Sequence, residues 1–518
     1  MKKLLISLLI VPMILSCAGD KRENADSKGD YMNEPWRPQV HFSPESQWMN
    51  DPNGMVYHEG EYHLFYQYHP DSTVWGPMHW GHAISKDLIH WEHQPIALYP
   101  DSLGTIFSGS AVADVNNTSG FGKDGEIPLV AIYTNHSHEK EAKGDIDYQT
   151  QGIAYSLDNG RTWEKYEGNP VLDNPGIRDF RDPKVIWHKD REEWIMALAV
   201  KDRVSFYSSP DLKNWTFESD FGSGVDHGGV VECPDLFPMT TAEGKEKWVL
   251  LVSLNPGAPH GGSGTKYYIG DFDGKEFVSD WPAEKEVWLD YGKDNYAGVT
   301  WSNIPEEDGR ALFIGWMSNW QYANVVPTEK WRSAMTLPRS LELVEGNEGN
   351  PVLKGTVVNS ISNIADAWQE KSDLPGVAAE VRDLDFSFDK NSAYQLSFEF
   401  DIQAGSTATI DLYNRTGDSV YITFDRNRGI VLFDRTKSGK VDFNENFPGE
   451  YSAPVFFDGN VMVDLYVDQS SVEMFINDGK VQMTNLIFPE ELLTGVEING
   501  EGESLLVSAR ARVLNSIW

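Results

Sequence analysis

The chain has 518 residues, too many for one ordinary core, and 43 basic against 79 acidic residues give it a formal charge of −36. That balance excludes nucleic acid as a natural partner, because phosphate binding needs basic surface, and suits solubility better than steering of a neutral substrate. Only Cys17 and Cys233 are present, so an exported form has no disulfide framework, and a catalytic cysteine would need a paired histidine that nothing in the sequence indicates.

In chain order, Lys2 and Lys3 precede an apolar run from Leu4 to Leu15 that is too short to span a bilayer. It ends Ile14-Leu15-Ser16-Cys17, which resembles the lipobox of bacterial lipoproteins. The expectation is a signal peptide over 1–17, with Cys17 as the acylated first mature residue and sole membrane anchor, at the cell surface or the periplasmic face. The alternative is a plain secretory signal cut nearby. Residues 18–34 are polar and read as a disordered tether.

From 35 to 345, short aromatic and β-branched runs such as Leu129–Tyr133 and Trp248–Val252 alternate with Gly, Pro, Asp and Asn, without a helical period. A turn motif recurs: Ser85-Lys-Asp87-Leu-Ile-His-Trp91, Ser156-Leu-Asp158-Asn-Gly-Arg-Thr-Trp163, Ser209-Pro-Asp211-Leu-Lys-Asn-Trp215 and a degraded Asp271-Phe-Asp273-Gly-Lys-Glu-Phe277. The closing aromatics stand 72, 52 and 62 residues apart, which fits four-stranded propeller blades carrying insertions. The texture changes at Glu345-Gly-Asn-Glu-Gly-Asn-Pro351, and residues 346–362 read as a linker. From 363 to 518, alternating strands with hairpin signals at Asp425–Gly429 and Asn477-Asp478-Gly479 predict a β-sandwich.

Three acidic residues of the first domain stand in unusual settings. Asp51 lies in Trp48-Met-Asn50-Asp-Pro-Asn-Gly54, whose composition predicts a tight turn. Asp182 lies in Phe180-Arg181-Asp182-Pro183, where the adjacent arginine favours the anion. Glu232 lies between Val231 and Cys233-Pro234, after a Gly-rich segment, in apolar sequence surroundings that would raise its pKa. One ionised and one protonated carboxyl group is what glycoside hydrolysis needs.

With these flanks and in this order, the motifs closely resemble those of glycoside hydrolase family 32, the β-fructofuranosidases. The resemblance covers nearly the whole mature chain and extends to Asp468-Gln-Ser-Ser-Val-Glu-Met-Phe-Ile-Asn-Asp-Gly479 in the second domain. It implies an all-β fold, a five-bladed β-propeller followed by a β-sandwich. It implies Asp51 as nucleophile, Glu232 as acid/base and Asp182 as transition-state stabiliser. Asn50, Gln67, Trp75, Phe107, Ser108, Arg181 and Trp320 correspond to substrate-binding positions. Phe107 opens a motif, Phe107-Ser-Gly-Ser110, in which the family often has Trp.

The implied activity is retaining, exo-acting release of fructose from levan, inulin, fructo-oligosaccharides or sucrose, without metal or cofactor. His79/His82 and His136/His138 form no His-Glu-x-x-His pattern. Competing readings are endo cleavage, transfer of fructose to sugar, an inverting furanosidase on a related propeller, and a non-catalytic fructan-binding lipoprotein.

Overall fold

A computed structural model describes residues 30–346, 351–371, 382–389 and 392–518. The signal segment, Cys17 and residues 18–29 of the expected tether lie outside them. The rest of that segment is structured: Asp30–Asn33 is a 3-10 turn, and Glu34 pairs with Arg37 at 2.8 Å.

The first domain is a propeller of five antiparallel sheets around one axis. The innermost strands are Gln47–His58, Thr105–Ala113, Phe180–His188, Val230–Thr240 and Tyr296–Thr300, in blades 1 to 5. Each lies against the next, and the fifth against the first. Hydrophobic cores fill the spaces between neighbouring blades, so a blade is buried on both faces. In blade 4, Trp248, Leu250 and Val252 pack toward blade 3, while Val249 and Leu251 pack toward blade 5. This explains why the strand reads as a continuous apolar run instead of alternating.

The recurring aspartates cap the outer hairpins of blades 1 to 4. Asp87 accepts Ile89 and His90 N–H at 2.9 and 2.8 Å, and Asp273 accepts Lys275 and Glu276 N–H at 2.8 and 2.9 Å. Asp158 and Asp211 do the same for Thr162 and Asn214, both at 2.8 Å. The repeat is therefore turn chemistry, one copy per blade. Blade 5 closes on blade 1 through main-chain bonds and by lending it one short strand, Trp331–Arg332. Ser302 N–H donates to Met55 O at 2.9 Å, Tyr57 N–H donates to Ser302 O at 3.0 Å, and Trp331–Arg332 runs parallel to Gln47 and Trp48.

The expected linker over 346–362 is corrected. Pro351–Val357 is the outer strand of blade 5, paired antiparallel from Arg339↔Val357 to Glu345↔Pro351, and Asn359–Ile364 is a 3-10 helix. Leu353, Gly355 and Val357 face inward at period two, a pattern masked in sequence by the neighbouring Gly, Asn and Pro. The sandwich follows as two six-stranded sheets over one apolar core. Both expected hairpins are present.

The strand Ser471–Ile476 is buried along its whole length. Val472, Met474 and Ile476 enter the sandwich core, whereas Phe475 packs against propeller residues and Glu473 turns its carboxylate to that same side. Its partner there is Arg339, fully buried, which donates to Glu473, to Asp290 at 2.9 Å, to Gln482 at 2.8 Å and to Thr484 at 2.7 Å. His41 bridges Asp468 at 2.7 Å and Glu473 at 2.9 Å. A third buried cation, Arg435 of the sandwich, meets Asp294 of the propeller at 2.6 Å.

Burial opposes charge on His41, but hydrogen bonds to Asp468 and Glu473 outweigh it and push its pKa up to about 9. A histidine raised above its unfolded value stabilises the fold fully below about pH 6.5 and loses that contribution as pH rises through 9. We predict that His41→Gln costs roughly 3 kcal/mol at pH 6, and that the gap to wild type in denaturant melts narrows as pH rises from 6.5 to about 9. A pH-independent gap would show that His41 acts only by packing.

Candidate active site

Each of the five inner strands breaks register at the axis. The irregularities fall between Met49 and Pro52, Ile106 and Gly109, Arg181 and Lys184, Glu232 and Asp235, and Tyr296 and Val299. Asp51 thus lies within a bulged strand, and not in the tight turn that its sequence predicts. A bulge inserts a residue, bends the strand and re-aims a side chain. Pro52, Pro183 and Pro234 sit within three of the irregularities, where a missing N–H costs no ladder bond. Glycine serves in the other two. A Cβ on Gly109 would lie 2.1 Å from Ile132 O, and one on Gly298 2.1 Å from Phe313 Cζ. Asp182, Cys233 and Ala297 hold φ of 62°, 42° and 52°, backbone that side chains other than glycine adopt at a cost.

The bulges bring three carboxylates to one floor. Asp51 accepts from Asn50 Nδ2 at 3.0 Å and from Ser108 Oγ at 2.7 Å. Asp182 Oδ2 accepts Cys233 N–H at 3.0 Å. The Cys233 thiol lies 3.7 Å from Asp51 Oδ2 and 3.6 Å from Asp182 Oδ2. Glu232 accepts from Arg181 Nη2 at 2.9 Å on Oε1, and from the Tyr296 hydroxyl on Oε2. Arg181 also donates to Asp179 at 2.6 Å.

The electrostatics differ from the sequence reading in two respects. Arg181 is adjacent to Asp182 in sequence, but its nearest approach to that carboxylate is 3.9 Å, and its short bonds go to Asp179 and Glu232. Burial therefore dominates at Asp182, aided by the charges of Glu232 and Asp51, and its pKa rises to about 7 against the pull of Arg181. Burial likewise raises Asp51, opposed by its bonds from Asn50 and Ser108. Around Glu232 the spatial neighbours are a guanidinium and a phenol, unlike its apolar neighbours in sequence.

Above the floor is a pocket of about 290 Å³. It is lined by Asn50, Asp51, Gln67, Trp75, Phe107, Ser108, Arg181, Asp182, Glu232 and Trp320, which gathers in one place all the candidate catalytic and sugar-contact positions of the sequence reading. Trp320 stacks on Trp48 at 5.9 Å, and Phe107 stands edge-on to Trp75 at 6.1 Å. The sequence reading missed Tyr296, Asn255, Tyr148, Arg178, Asp179 and Glu141, which also line the pocket. Tyr296 has a detectable signal, the Ala297-Gly298 that follows it in an aromatic, β-branched run.

Among the described residues, one group could share a metal ion: His136, His138 and Glu141, with ligand atoms within 4.8 Å of one another. A search for His-Glu-x-x-His misses it, because a short helix, His138–Lys143, returns Glu141 toward the histidines.

A carboxyl group whose folded pKa exceeds its unfolded value opposes folding increasingly as pH rises between the two. Asp182→Asn should therefore raise stability by roughly 2 kcal/mol at pH 7 and by almost nothing at pH 4, while lowering turnover. Calorimetric melts at the two pH values test this, and a variant less stable than wild type at pH 7 would refute it.

Residues 41–354 match the family model for the glycosyl hydrolases family 32 N-terminal domain, and residues 362–513 that for the glycosyl hydrolases family 32 C-terminal domain. The chain is 47% identical over 528 residues to a levanase of Bacillus subtilis (strain 168), covering 100% of this chain and 76% of the relative. Among solved structures, an exo-inulinase from Aspergillus awamori superposes with a TM-score of 0.85 at 36% identity, covering 94% of this chain and 100% of that one. A β-fructofuranosidase from Schwanniomyces occidentalis, complexed with fructosyl-erythritol, does so with 0.84 at 35%, covering 94% and 99%. With both domains matched and the propeller-and-sandwich architecture in place, this chain belongs to glycosyl hydrolases family 32.

Proposed function

We propose that the chain releases fructose from the non-reducing ends of fructans by a double displacement with net retention. The observation that carries this is the convergence of Asp51, Asp182 and Glu232, from three blades, on the floor of one pocket. The levanase and exo-inulinase relatives support the substrate class.

Asp51 attacks the anomeric carbon while Glu232 protonates the departing oxygen. Water activated by Glu232 then hydrolyses the fructosyl-enzyme. Asn50 and Ser108 donate to Asp51 and hold it as an acceptor-only nucleophile. Because Arg181 occupies Oε1 of Glu232, the mobile proton belongs on Oε2, beside the Tyr296 hydroxyl. That hydroxyl donates to the ionised acid and accepts from the protonated one, following the proton through both half-reactions. Asp182 and Arg181 hold the ring hydroxyls as charge develops on the sugar. Trp75, Phe107 and Trp320 wall the pocket and favour a chain end over a mid-chain segment.

On levan and on inulin, a product time course should give fructose alone from the earliest points. Early oligosaccharides would establish endo cleavage instead. Asp51→Ala should abolish turnover in a folded protein. Glu232→Gln should slow oligosaccharides by roughly a thousandfold but activated aryl fructosides far less.

We further propose export and lipid anchoring at Cys17, on the strength of Lys2-Lys3, the apolar run and Leu15-Ser16-Cys17. Intact-mass measurement of membrane-extracted protein should find an acylated N-terminus, lost in Cys17→Ala. An unmodified mature form would rule the anchor out.

A further inference from the structure

The helix His138–Lys143 stands at the mouth of the pocket, between the second and third strands of blade 2. Behind it runs a chain of hydrogen bonds whose direction is fixed from one end. Phe180 N–H donates to Gln149 Oε1 at 2.8 Å, which leaves the Gln149 amide nitrogen facing His136 Nδ1 at 3.2 Å. His136 must therefore accept on Nδ1 and carry its proton on Nε2, which it donates to Glu141 Oε2 at 3.0 Å. The ring is only 3% exposed, and burial lowers its pKa to about 3, so it stays neutral. Phe107 stacks on it at 4.1 Å and 7°, and His138 Nδ1 approaches the same Glu141 oxygen at 3.9 Å.

This arrangement argues against a metal at His136, His138 and Glu141, because an ion on Nε2 would shift the His136 proton to Nδ1, where it would face the Gln149 amide nitrogen, another donor. What it does provide is a carboxylate held in place. Glu141 Oε1 makes no hydrogen bond among the described residues, the side chain is 39% exposed, and it lines the pocket above the floor. A sugar with its anomeric carbon at Asp51 occupies that floor, so the group beyond the scissile bond extends toward the mouth.

We propose that Glu141 is a specificity-determining residue that accepts hydroxyl hydrogen bonds from a neutral sugar on the leaving-group side of the scissile bond. The inference rests on the fructosidase reading. An ionised carboxylate makes stronger bonds to hydroxyls than an amide does, and it repels a phosphorylated leaving group. The mouth and floor together hold Asp51, Glu141, Asp179, Asp182 and Glu232 against Arg178 and Arg181. His136 is the positioning residue that sets the carboxylate's orientation.

The test compares a fructo-trisaccharide with p-nitrophenyl β-D-fructofuranoside, whose leaving group offers no sugar hydroxyls. In Glu141→Ala, KM for the trisaccharide should rise roughly tenfold with kcat nearly kept, while the aryl substrate changes less than about twofold. Glu141→Gln should fall between. His136→Phe, which keeps the stack on Phe107 and removes the donor, should shift the trisaccharide in the same direction. Equal losses on both substrates, or none on either, would overturn the role of Glu141. Wild-type failure on both substrates would overturn the fructosidase reading itself, and this inference with it.

Discussion

Three carboxylates share the floor of this propeller, the guanidinium of Arg181 bonds Glu232 alone among them, and the rest of the molecule answers to that imbalance. Removing an anion from water is expensive unless hydrogen bonds and opposite charge replace the lost hydration. Arg181 serves Glu232 and Asp179 directly, so Asp51 depends on Asn50 and Ser108, and Asp182 on a backbone N–H. Burial that these partners leave uncompensated raises the pKa of Asp182. Five interblade cores and the sandwich stabilise a shell that holds these groups together at the expense of local stability.

The bulges give that shell its aim. Regular strands would alternate their side chains between the two faces of each blade and send none to the axis. The irregularity in each inner strand turns one or two polar groups inward, and blades 1 to 4 contribute Asp51, Ser108, Asp182 and Glu232 in turn. The devices are written in the sequence as Asp-Pro, Ser-Gly, Asp-Pro and Cys-Pro inside otherwise strand-forming runs. Read locally, Asn-Asp-Pro looks like a turn. It functions as a bulge because Gln47–His58 is paired on both sides of the break, information that comes from the sheet.

The same distinction governs what else was legible. The capping aspartates and the apolar runs depend on near neighbours in sequence, and they foretold blades. The identity of the acidic trio followed from motif strings. The partners of those acids did not, because Arg181 reaches across to Glu232 from another blade, 51 residues away, and Tyr296 from 64 residues away. The strand Pro351–Val357 was hidden by its flanks. The pairing of the buried ions joining the two domains was illegible for a further reason: Glu473 lies in a recognisable motif, but Arg339 and His41 are ordinary residues in sequence, distinguished only by having nowhere to be solvated.

Ring closure by main-chain hydrogen bonds has a consequence for how the protein comes to be active. Ser302 donates its N–H, and its hydroxyl as well, to the carbonyl of Met55 across 247 residues, so the strand bearing Asp51 is synthesised long before the segment that completes its surroundings. Contacts of such separation form late and slowly. Blades 1 and 2 could be assembled with every apolar residue in place and still present an open groove, lacking Glu232 and Tyr296. Hydrolysis would therefore appear only with the last blade, which makes catalytic competence a signature of completed folding.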